Sequence, residues 1–330
     1  MARYFDEVWS EEEQLLKIGL EQSRRNKRDR MKRVFLIGNG QSRKGFDLEL
    51  LRPHGKIYGC NAIYRDGFRP DVLIAVDHGI MHEVYNAGVA DEIPCYFRDW
   101  TRVPEAHYEM MKWAGLNMDE RDTVKKHFDK FNENEKGDRT EFVMHGMNMA
   151  GKINIIRRYK NKPEAYDVMK QQIDHSDCNV SWVHDDDKAV NLSDFYTENT
   201  EFKKDRGWSA GPSSGMVAMV NEQPDEAYLI GHDLVSNTNT VNNLFAGTRH
   251  YVAPENSPTP SVNWSQQWCN LIKEFPKTTF YKVNPNADRG PDKVSEAVEL
   301  WDRFKDKQVY YIDFSELQAK LGLPLGENSV

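Results

Sequence analysis

Residues 34–42, with the sequence VFLIGNGQS, are the feature that most constrains what this chain can fold into. The first part, residues 34–37, is a short apolar run that ends at glycine, which is typical of a buried strand. Gly38 and Gly40 then permit a tight turn and a close approach between the backbone and a ligand. The stretch therefore predicts the first strand and turn of a nucleotide-binding α/β domain.

Two polar residues of the same turn carry groups that suit a ligand. Asn39 tolerates unusual backbone angles and offers both a donor and an acceptor. Ser42 can cap a following helical turn, whose free N–H groups suit a phosphate. The motif is incomplete, because the dinucleotide fingerprint has a third glycine where this chain has Arg43, and the Gly-Lys-Ser/Thr of a Walker loop is missing. A glycine turn that binds no ligand therefore stays open as an alternative.

Polar residues also follow two further predicted strands. Asn61 follows the apolar run at residues 56–60, and Asp77 follows DVLIAV at residues 71–76. Ligands of open parallel sheets bind at the carboxyl ends of the strands, so Asn39, Asn61 and Asp77 are expected to meet at one site. These three strands, with others at residues 93–97, 226–230 and 279–283, predict a Rossmann-like, open and mostly parallel sheet.

Composition narrows the class of protein. With 39% apolar and 29% charged residues the chain is predicted to be globular and soluble, and its net charge of −8 argues against a general nucleic-acid binder. The four cysteines are scattered without a C-x-x-C pair, which favours free thiols in a reducing compartment. No apolar run approaches the roughly 18–20 residues that span a bilayer, and the N-terminus does not resemble a signal peptide. A cytoplasmic location is therefore expected.

The pattern along the chain predicts three regions. Residues 1–31 are expected to form a helical arm that packs on the domain or on another subunit, so a homo-oligomer stays open. Residues 32–99 and 207–330 are assigned to the nucleotide-binding domain. Residues 100–206 show helical patterns and many charges but few strand signals, and are expected to be a helical insertion or lid. Residues 234–260 form a long polar loop of the kind that serves as a lid or binding loop.

These motifs, taken together, resemble the bacterial sialyltransferases of glycosyltransferase family 42. They also resemble the related group of 6-hydroxymethylpterin pyrophosphokinase-like proteins. The residues that carry the resemblance are Gly38, Asn39, Gly40 and Ser42, Cys60 and Asn61, Ser213, Ser214 and Gly215 at the expected start of a helix, and Gly231 and Asp233 after a strand. Two positions depart from the sialyltransferase pattern: Gln41 replaces a proline, and His232 replaces an apolar residue.

The resemblance implies a reaction and a set of roles. The donor would be a CMP-linked sugar held at the strand ends, the acceptor a glycan or another hydroxyl compound, and no metal or other cofactor would be needed. By position in the polar loop, His250 would be the general base that deprotonates the acceptor, and Tyr251 would hold the leaving phosphate. The remaining motif residues, with Asp77, would bind the nucleotide.

Other patterns keep further alternatives open. His78 and His82 share a helix face and could hold a metal, but a third ligand is not evident. His184 and residues 185–187 (DDD) resemble a manganese motif, but a solvated turn is the preferred interpretation, because they lie in the insertion and not at the end of a strand. The pyrophosphokinase alternative would use ATP and Mg²⁺, with Asp77 and Asp233 as candidate ligands. A third alternative is a structural or assembly protein that retains the fold without activity.

Overall fold

The structure of the chain is a computed structural model. It describes residues 31–98, 101–103, 108–119, 141–146, 149–159, 161–173, 178–183, 189–201, 205–234, 236, 240–260, 262–283, 304 and 307–324. Within these residues the strands are β1 (Arg33–Ile37), β2 (Lys56–Cys60), β3 (Val72–Ala75), β4 (Cys95–Phe97), β5 (Thr101–Val103), β6 (Asn117–Met118), β7 (Glu141–Gly146), β8 (Cys178–Val183), β9 (Ala189–Asn191), β10 (Glu226–Ile230), β11 (Thr279–Val283) and β12 (Val309–Ile312).

Helices connect most of these strands. The α-helices are α1 (His78–Asn86), α2 (Val89–Glu92), α3 (Tyr108–Trp113), α4 (Met149–Tyr159), α5 (Tyr166–Gln172), α6 (Leu192–Asn199), α7 (Ala210–Glu222), α8 (Val262–Glu274) and α9 (Phe314–Leu321). Short 3₁₀ turns cover Gln41–Arg43, Leu48–His54, Asn61–Asp66 and Pro163–Ala165. Among the helices of the described residues, none combines the length and apolar character that a bilayer crossing requires.

Eight strands form one open sheet in the order β12-β11-β10-β1-β2-β3-β4-β9. Every neighbouring pair in it is parallel. The chain is therefore an α/β protein with a Rossmann-like open parallel sheet, which confirms the fold class expected from the sequence. β1 lies in the middle, between β2 on one side and β10 on the other, so the strand order reverses there. Ligand clefts of open α/β sheets form at such switch points.

Alternating side chains of the central strands fill two cores, one on each face of the sheet. Phe35 and Ile37 belong to one cluster, whereas Val34 and Leu36 belong to the other, and all four are fully buried. Successive side chains of a strand point to opposite faces, and a parallel sheet is covered by helices on both. This explains why residues 34–37 are apolar without interruption.

Residues 100–206, which we expected to form a helical insertion or lid with few strands, contain strands as well as helices. β5, β7, β8 and β6 form a second sheet in that order, and β9 adds the last strand to the main sheet. The pairing partners of these strands are far apart in sequence: β7 pairs with β8 across more than thirty residues. The DDD triplet at residues 185–187 lies outside the described residues, as do residues 1–30 of the expected arm.

Helix α7 begins at Ala210, three residues earlier than the Ser-Ser-Gly motif led us to expect. Ser213, Ser214 and Gly215 therefore lie inside the helix, where they are buried. Their contacts are structural, because Ser213 donates to the carbonyl oxygen of Trp208 at 3.2 Å and Ser214 to that of Gly211 at 2.6 Å. Pro212, in the first turn, is the residue that could have indicated the true start.

Gly215 lets α7 and α8 pack closely, so a larger side chain at this position should destabilise the fold. A Cβ atom on Gly215 would lie 2.6 Å from Leu271 and 2.8 Å from the Trp268 ring, both buried side chains of α8. Alanine usually stabilises a helix interior by about 0.5–1 kcal/mol over glycine, whereas overpacking a core costs about 1–3 kcal/mol. Gly215→Ala is therefore expected to lower the free energy of unfolding in urea titrations. An unchanged or higher stability would contradict this account of the helix pair.

Candidate functional site

A cleft of about 490 Å³ opens at the carboxyl ends of the central strands. The turns after β1, β2, β3, β4 and β10 contribute to its wall, together with the first turn of α7, the face of α8 around Trp264, and residues 242–243 of the long loop. It lies where the strand order reverses, as expected for a ligand site of this fold.

Six of the residues predicted for the nucleotide site line this cleft: Gly38, Asn39, Gly40, Asn61, Asp77 and Asp233. They come from the turns after four different strands. The polar residues at these strand ends therefore lie in one cleft, as expected. The other predicted residues, Ser42, Ser213, Ser214, Gly215, His250 and Tyr251, are not part of the cleft lining. Whether any of them touches a ligand stays a prediction.

Asp233 joins the turn after β10 to the turn after β1. Its carboxylate accepts hydrogen bonds from the backbone N–H of Ser42, at 2.8 Å, and from the Ser42 hydroxyl. The N–H group that we expected to bind phosphate is therefore already paired with a carboxylate of the protein. A Cβ atom on Gly40 would lie 2.4 Å from the same carboxylate, so glycine is required here for contact with Asp233 rather than with a ligand.

Backbone hydrogen bonds hold the same two turns together. The N–H of Gly38 donates to Ile230 and the N–H of Gly40 to Gly231, each at 2.8 Å. A Cβ atom on Gly38 would lie 2.4 Å from the carbonyl oxygen of Gly231. Gly231 itself has a φ of +68°, in the left-handed region that favours glycine. Side chains at these positions would push the turns apart, so the glycines build the floor of the cleft.

Asn39 supports the cleft wall with both ends of its side chain. Its Nδ2 donates to the carbonyl oxygen of Cys60 at 2.9 Å, and its Oδ1 accepts from Arg43 at 3.3 Å. Arg43 also donates to Gly38 at 2.7 Å and pairs with Asp66 at 3.0 Å. The residue that stands where the dinucleotide fingerprint has a glycine therefore fixes the turn after β1 to the turn after β2.

Asn61 and Asp77 form a polar pair inside the cleft. The Asn61 Nδ2 donates to Asp77 at 3.1 Å, and the Asn61 Oδ1 is buried without a hydrogen-bond partner among the described residues. The Asp77 carboxylate is accessible from the cleft, yet the protein around it desolvates it enough to raise its pKa above the ordinary value. Nearby His78, Arg98 and Asn61 act in the opposite direction. Asp77 is thus a cleft-facing carboxylate whose pKa is shifted upward by its surroundings.

The first turn of α7 offers backbone donors to the cleft. Ser209, the residue before the helix, does not cap it, because its N–H and hydroxyl both donate to Gln267, at 3.0 and 2.9 Å. The first turn contains no acidic residue, and Ala210 and Gly211 line the cleft. An uncapped helix N-terminus favours a negative charge such as a phosphate.

Arg98 adds a cation to the same wall. Its guanidinium makes two hydrogen bonds to Asp205, at 2.7 and 3.1 Å, and a longer one to Ser213 at 3.4 Å. The side chains of both partners are largely buried, at 13% and 9% exposure. No local pattern indicated this pair, since its members are more than one hundred residues apart and neither belongs to a motif.

His232 lines the cleft, and the buried Lys282, outside the lining, contacts its backbone. Burial, followed by the charge of Lys282, lowers the pKa of His232 to about 3, so its imidazole is neutral at ordinary pH. Burial also lowers the pKa of Lys282 to about 8, although Asp233 opposes the shift, and its ammonium donates to the carbonyl oxygen of His232. The His232 ring packs edge-on against Trp268, with 5.1 Å between ring centroids.

His250 and Tyr251 lie beside the cleft wall, in the folded loop of residues 240–260. His250 Nε2 is 3.7 Å from Glu83 Oε2, and desolvation and Arg249 lower its pKa while Glu83 raises it. Arg65 ties this segment down through Thr248 at 2.6 Å and the carbonyl oxygen of Arg249 at 2.9 Å. Burial raises the pKa of the Tyr251 hydroxyl to about 12.

The two histidines of the alternative metal pattern have separate surroundings. His82 is buried, and its Nδ1 lies 3.1 Å from the hydroxyl of Ser181 on β8. His78 Nδ1 is buried without a hydrogen-bond partner among the described residues. Within that part of the chain no group of three or more His, Cys, Asp or Glu side chains is placed to hold a metal.

Comparison with protein-family models gives no match, and comparisons with curated proteins and with solved structures give none either. The resemblance to the sialyltransferases therefore depends on the motif residues themselves.

The neutral His232 predicts a loss of stability in acid. Its pKa is about 6.5 in the unfolded chain and about 3 in the folded one, so below pH 6.5 only the unfolded state takes up this proton. The stabilisation present above pH 6.5 is therefore lost as the pH falls toward 3. Between pH 7 and pH 5 the His232 contribution should fall by about 1–2 kcal/mol. His232→Gln should reduce the difference between urea titrations at these two pH values, and an undiminished difference would contradict the burial of a neutral imidazole.

Proposed function

We propose that this cleft binds a nucleotide-activated sugar and that the chain is a glycosyltransferase of the sialyltransferase-like kind, with a CMP-linked donor. The observation that carries the proposal is the meeting of strand-end polar residues from four strands with an uncapped helix N-terminus at the switch point of the sheet. Glycosyl transfer needs a group that stabilises the departing phosphate and a base that deprotonates the acceptor hydroxyl. Both kinds of group are available in this cleft.

The phosphate is proposed to bind at the first turn of α7. The helix that begins at Ala210 has no side-chain cap, and Ala210 and Gly211 line the cleft. Arg98 supplies a positive charge at the same wall, which Asp205 holds in place. Backbone donors that are fixed before the reaction stabilise developing charge without a cost of reorganisation.

The base is proposed to be Asp77 rather than His250. Asp77 lies in the cleft lining with a raised pKa, whereas His250 contacts Glu83 outside the lining, in a segment held by Arg65. His232 also lines the cleft, but a pKa of about 3 makes it a weak base. Asp77 therefore has the position that a base needs, while a role for His250 requires the loop to rearrange.

The pyrophosphokinase alternative requires carboxylates that are available to Mg²⁺. Asp77 and Asp233 both line the cleft, but Asp233 already accepts two hydrogen bonds from Ser42. A metal at Asp233 would have to compete with that contact. The glycosyltransferase proposal needs no such exchange, which is why we prefer it. A non-catalytic protein would show neither reaction.

The proposal predicts how two variants affect turnover of CMP-sialic acid. Asp77→Asn keeps the shape and the hydrogen bond to Asn61 but removes the base, so turnover should fall by roughly 10²–10⁴-fold. His250→Ala should have a much smaller effect, because its side chain is outside the cleft lining. Donor hydrolysis and transfer to mixed saccharide acceptors, followed by release of CMP, provide the measurement.

Four results would count against this account. Full turnover by Asp77→Asn would exclude Asp77 as the base, and a large loss in His250→Ala alone would assign that role to the loop. Activity that disappears with EDTA and returns with Mg²⁺, on ATP rather than a CMP-sugar, would favour the pyrophosphokinase alternative. A wild-type chain without turnover of either donor would favour the non-catalytic alternative.

A further inference from the structure

His250 makes a contact with helix α1 that the motif residues do not explain. Its imidazole packs on the first turn of this helix, which begins directly after Asp77. We propose that His250 is a positioning residue, whose ring fixes the first turn of α1 and thereby holds Asp77 at the cleft. The proposal rests on the proposed function for the role of Asp77 as the base, but the contacts that carry it lie outside the cleft lining.

The His250 ring spans one turn of α1. A Cβ atom on Gly79, the second residue of the helix, would lie 2.3 Å from His250 Nδ1 and 2.6 Å from Cε1. The other ring nitrogen, Nε2, is 3.7 Å from Oε2 of Glu83, four residues further along the same helix. Residues four apart lie on one face of a helix. Glycine at position 79 therefore leaves the room that the imidazole occupies against this face.

Arg65 fixes both sides of the contact. Its guanidinium donates to both carboxylate oxygens of Glu83, at 2.7 and 2.6 Å. It also donates to the Thr248 hydroxyl at 2.6 Å and to the carbonyl oxygen of Arg249, directly before His250, at 2.9 Å. One side chain thus joins α1 to the loop, and His250 is held where the two meet.

The backbone of His250 is strained in this position. Its φ is +66°, in the left-handed region where glycine is the residue without a steric cost. Strain of this kind persists where the surrounding structure determines the conformation. The contacts of the ring with Gly79 and Glu83 offset it, and they would be lost if glycine stood at position 250.

Asp77 does not stabilise the start of its own helix. It is the N-cap residue of α1, yet within the described part of the chain its side chain makes no capping hydrogen bond and instead accepts from Asn61 Nδ2 at 3.1 Å. An N-cap side chain normally satisfies an N–H group of the first turn. The first turn of α1 lacks this support, and the packing of His250 against it supplies a different one. A residue outside the cleft lining can in this way act on one inside it.

Amide hydrogen exchange, followed by NMR on the full chain, tests the positioning role without nucleotide or turnover. The reporter is the N–H of Met81, which donates to the carbonyl oxygen of Asp77 at 2.9 Å and closes the first turn of α1. His250→Gly removes the ring and suits the positive φ. Exchange at Met81 should then become about tenfold faster. Exchange at Ala87, whose N–H donates to Glu83 at the other end of the helix, should stay unchanged.

The titration of Asp77, followed through its carboxyl ¹³C shift, is a second readout that a loss of overall stability would not move. Desolvation raises the pKa of Asp77 in the wild type. A looser first turn admits water, so this pKa should fall toward the ordinary value in His250→Gly. Val252→Ala, at a position of the same loop that is 52% exposed, is the matched control and should equal the wild type in both measurements.

Gly79→Ala supplies a double-mutant cycle. In the wild-type background the added methyl group meets the imidazole, so exchange at Met81 should become faster, although alanine normally favours a helix over glycine. In the His250→Gly background the methyl group meets no ring, and the same substitution should slow exchange at Met81. The sign of the effect therefore depends on the side chain at position 250.

Unchanged exchange at Met81 or an unchanged pKa of Asp77 in His250→Gly would overturn the proposal. An equal effect of Gly79→Ala in both backgrounds would also overturn it. Faster exchange at Met81 and Ala87 alike would do the same, since the ring would then stabilise the fold as a whole. Because no donor substrate is used, failure here is distinct from failure of the turnover assay.

Discussion

The contact between Asp233 and Ser42 is the interaction on which the cleft depends. It joins the turn after β10 to the turn after β1, at the point where the strand order of the sheet reverses. A carboxylate that accepts from both a backbone N–H and a hydroxyl makes charge-assisted hydrogen bonds, which are stronger than neutral ones. The buried ammonium of Lys282 attracts Asp233 and donates to the neighbouring carbonyl oxygen of His232. Gly38 and Gly40 leave room for this arrangement, so the floor of the cleft is built from both halves of the chain.

The residues that line the cleft above this floor include both charged and neutral side chains. Asp77, Arg98 and the uncapped first turn of α7 form a part that suits a phosphate and a proton transfer. Neutral amides and Trp264 also line the cleft. Binding sites are commonly mostly neutral surfaces with a few well-placed polar groups, and the lining of this cleft contains both kinds of residue. The long loop joins the system through Gln41, which donates to Asn242 and Asn243.

Local patterns predicted most strands of the main sheet. The signal for such a strand is an uninterrupted apolar run followed by glycine or a polar residue, and it lies within a few adjacent positions of the sequence. Asn39, Asn61 and Asp77 could be found in this way, since the end of a parallel strand fixes where the next residue lies. Arg98 and the amides of α8 could not, because their place in the cleft follows from contacts between distant segments. Ser42 and Ser213 were assigned to a ligand since their motif positions suggested it, whereas the fold uses both for internal hydrogen bonds.

The central claim is that the cleft binds a nucleotide with its phosphate at the first turn of α7. Backbone amide NMR of the isotope-labelled full chain during a titration with CMP measures this directly. The account predicts that the largest shift changes fall on Ala210 and Gly211, with smaller changes at the turn after β1. Saturable changes confined to other surfaces, or no changes at millimolar CMP, would contradict it.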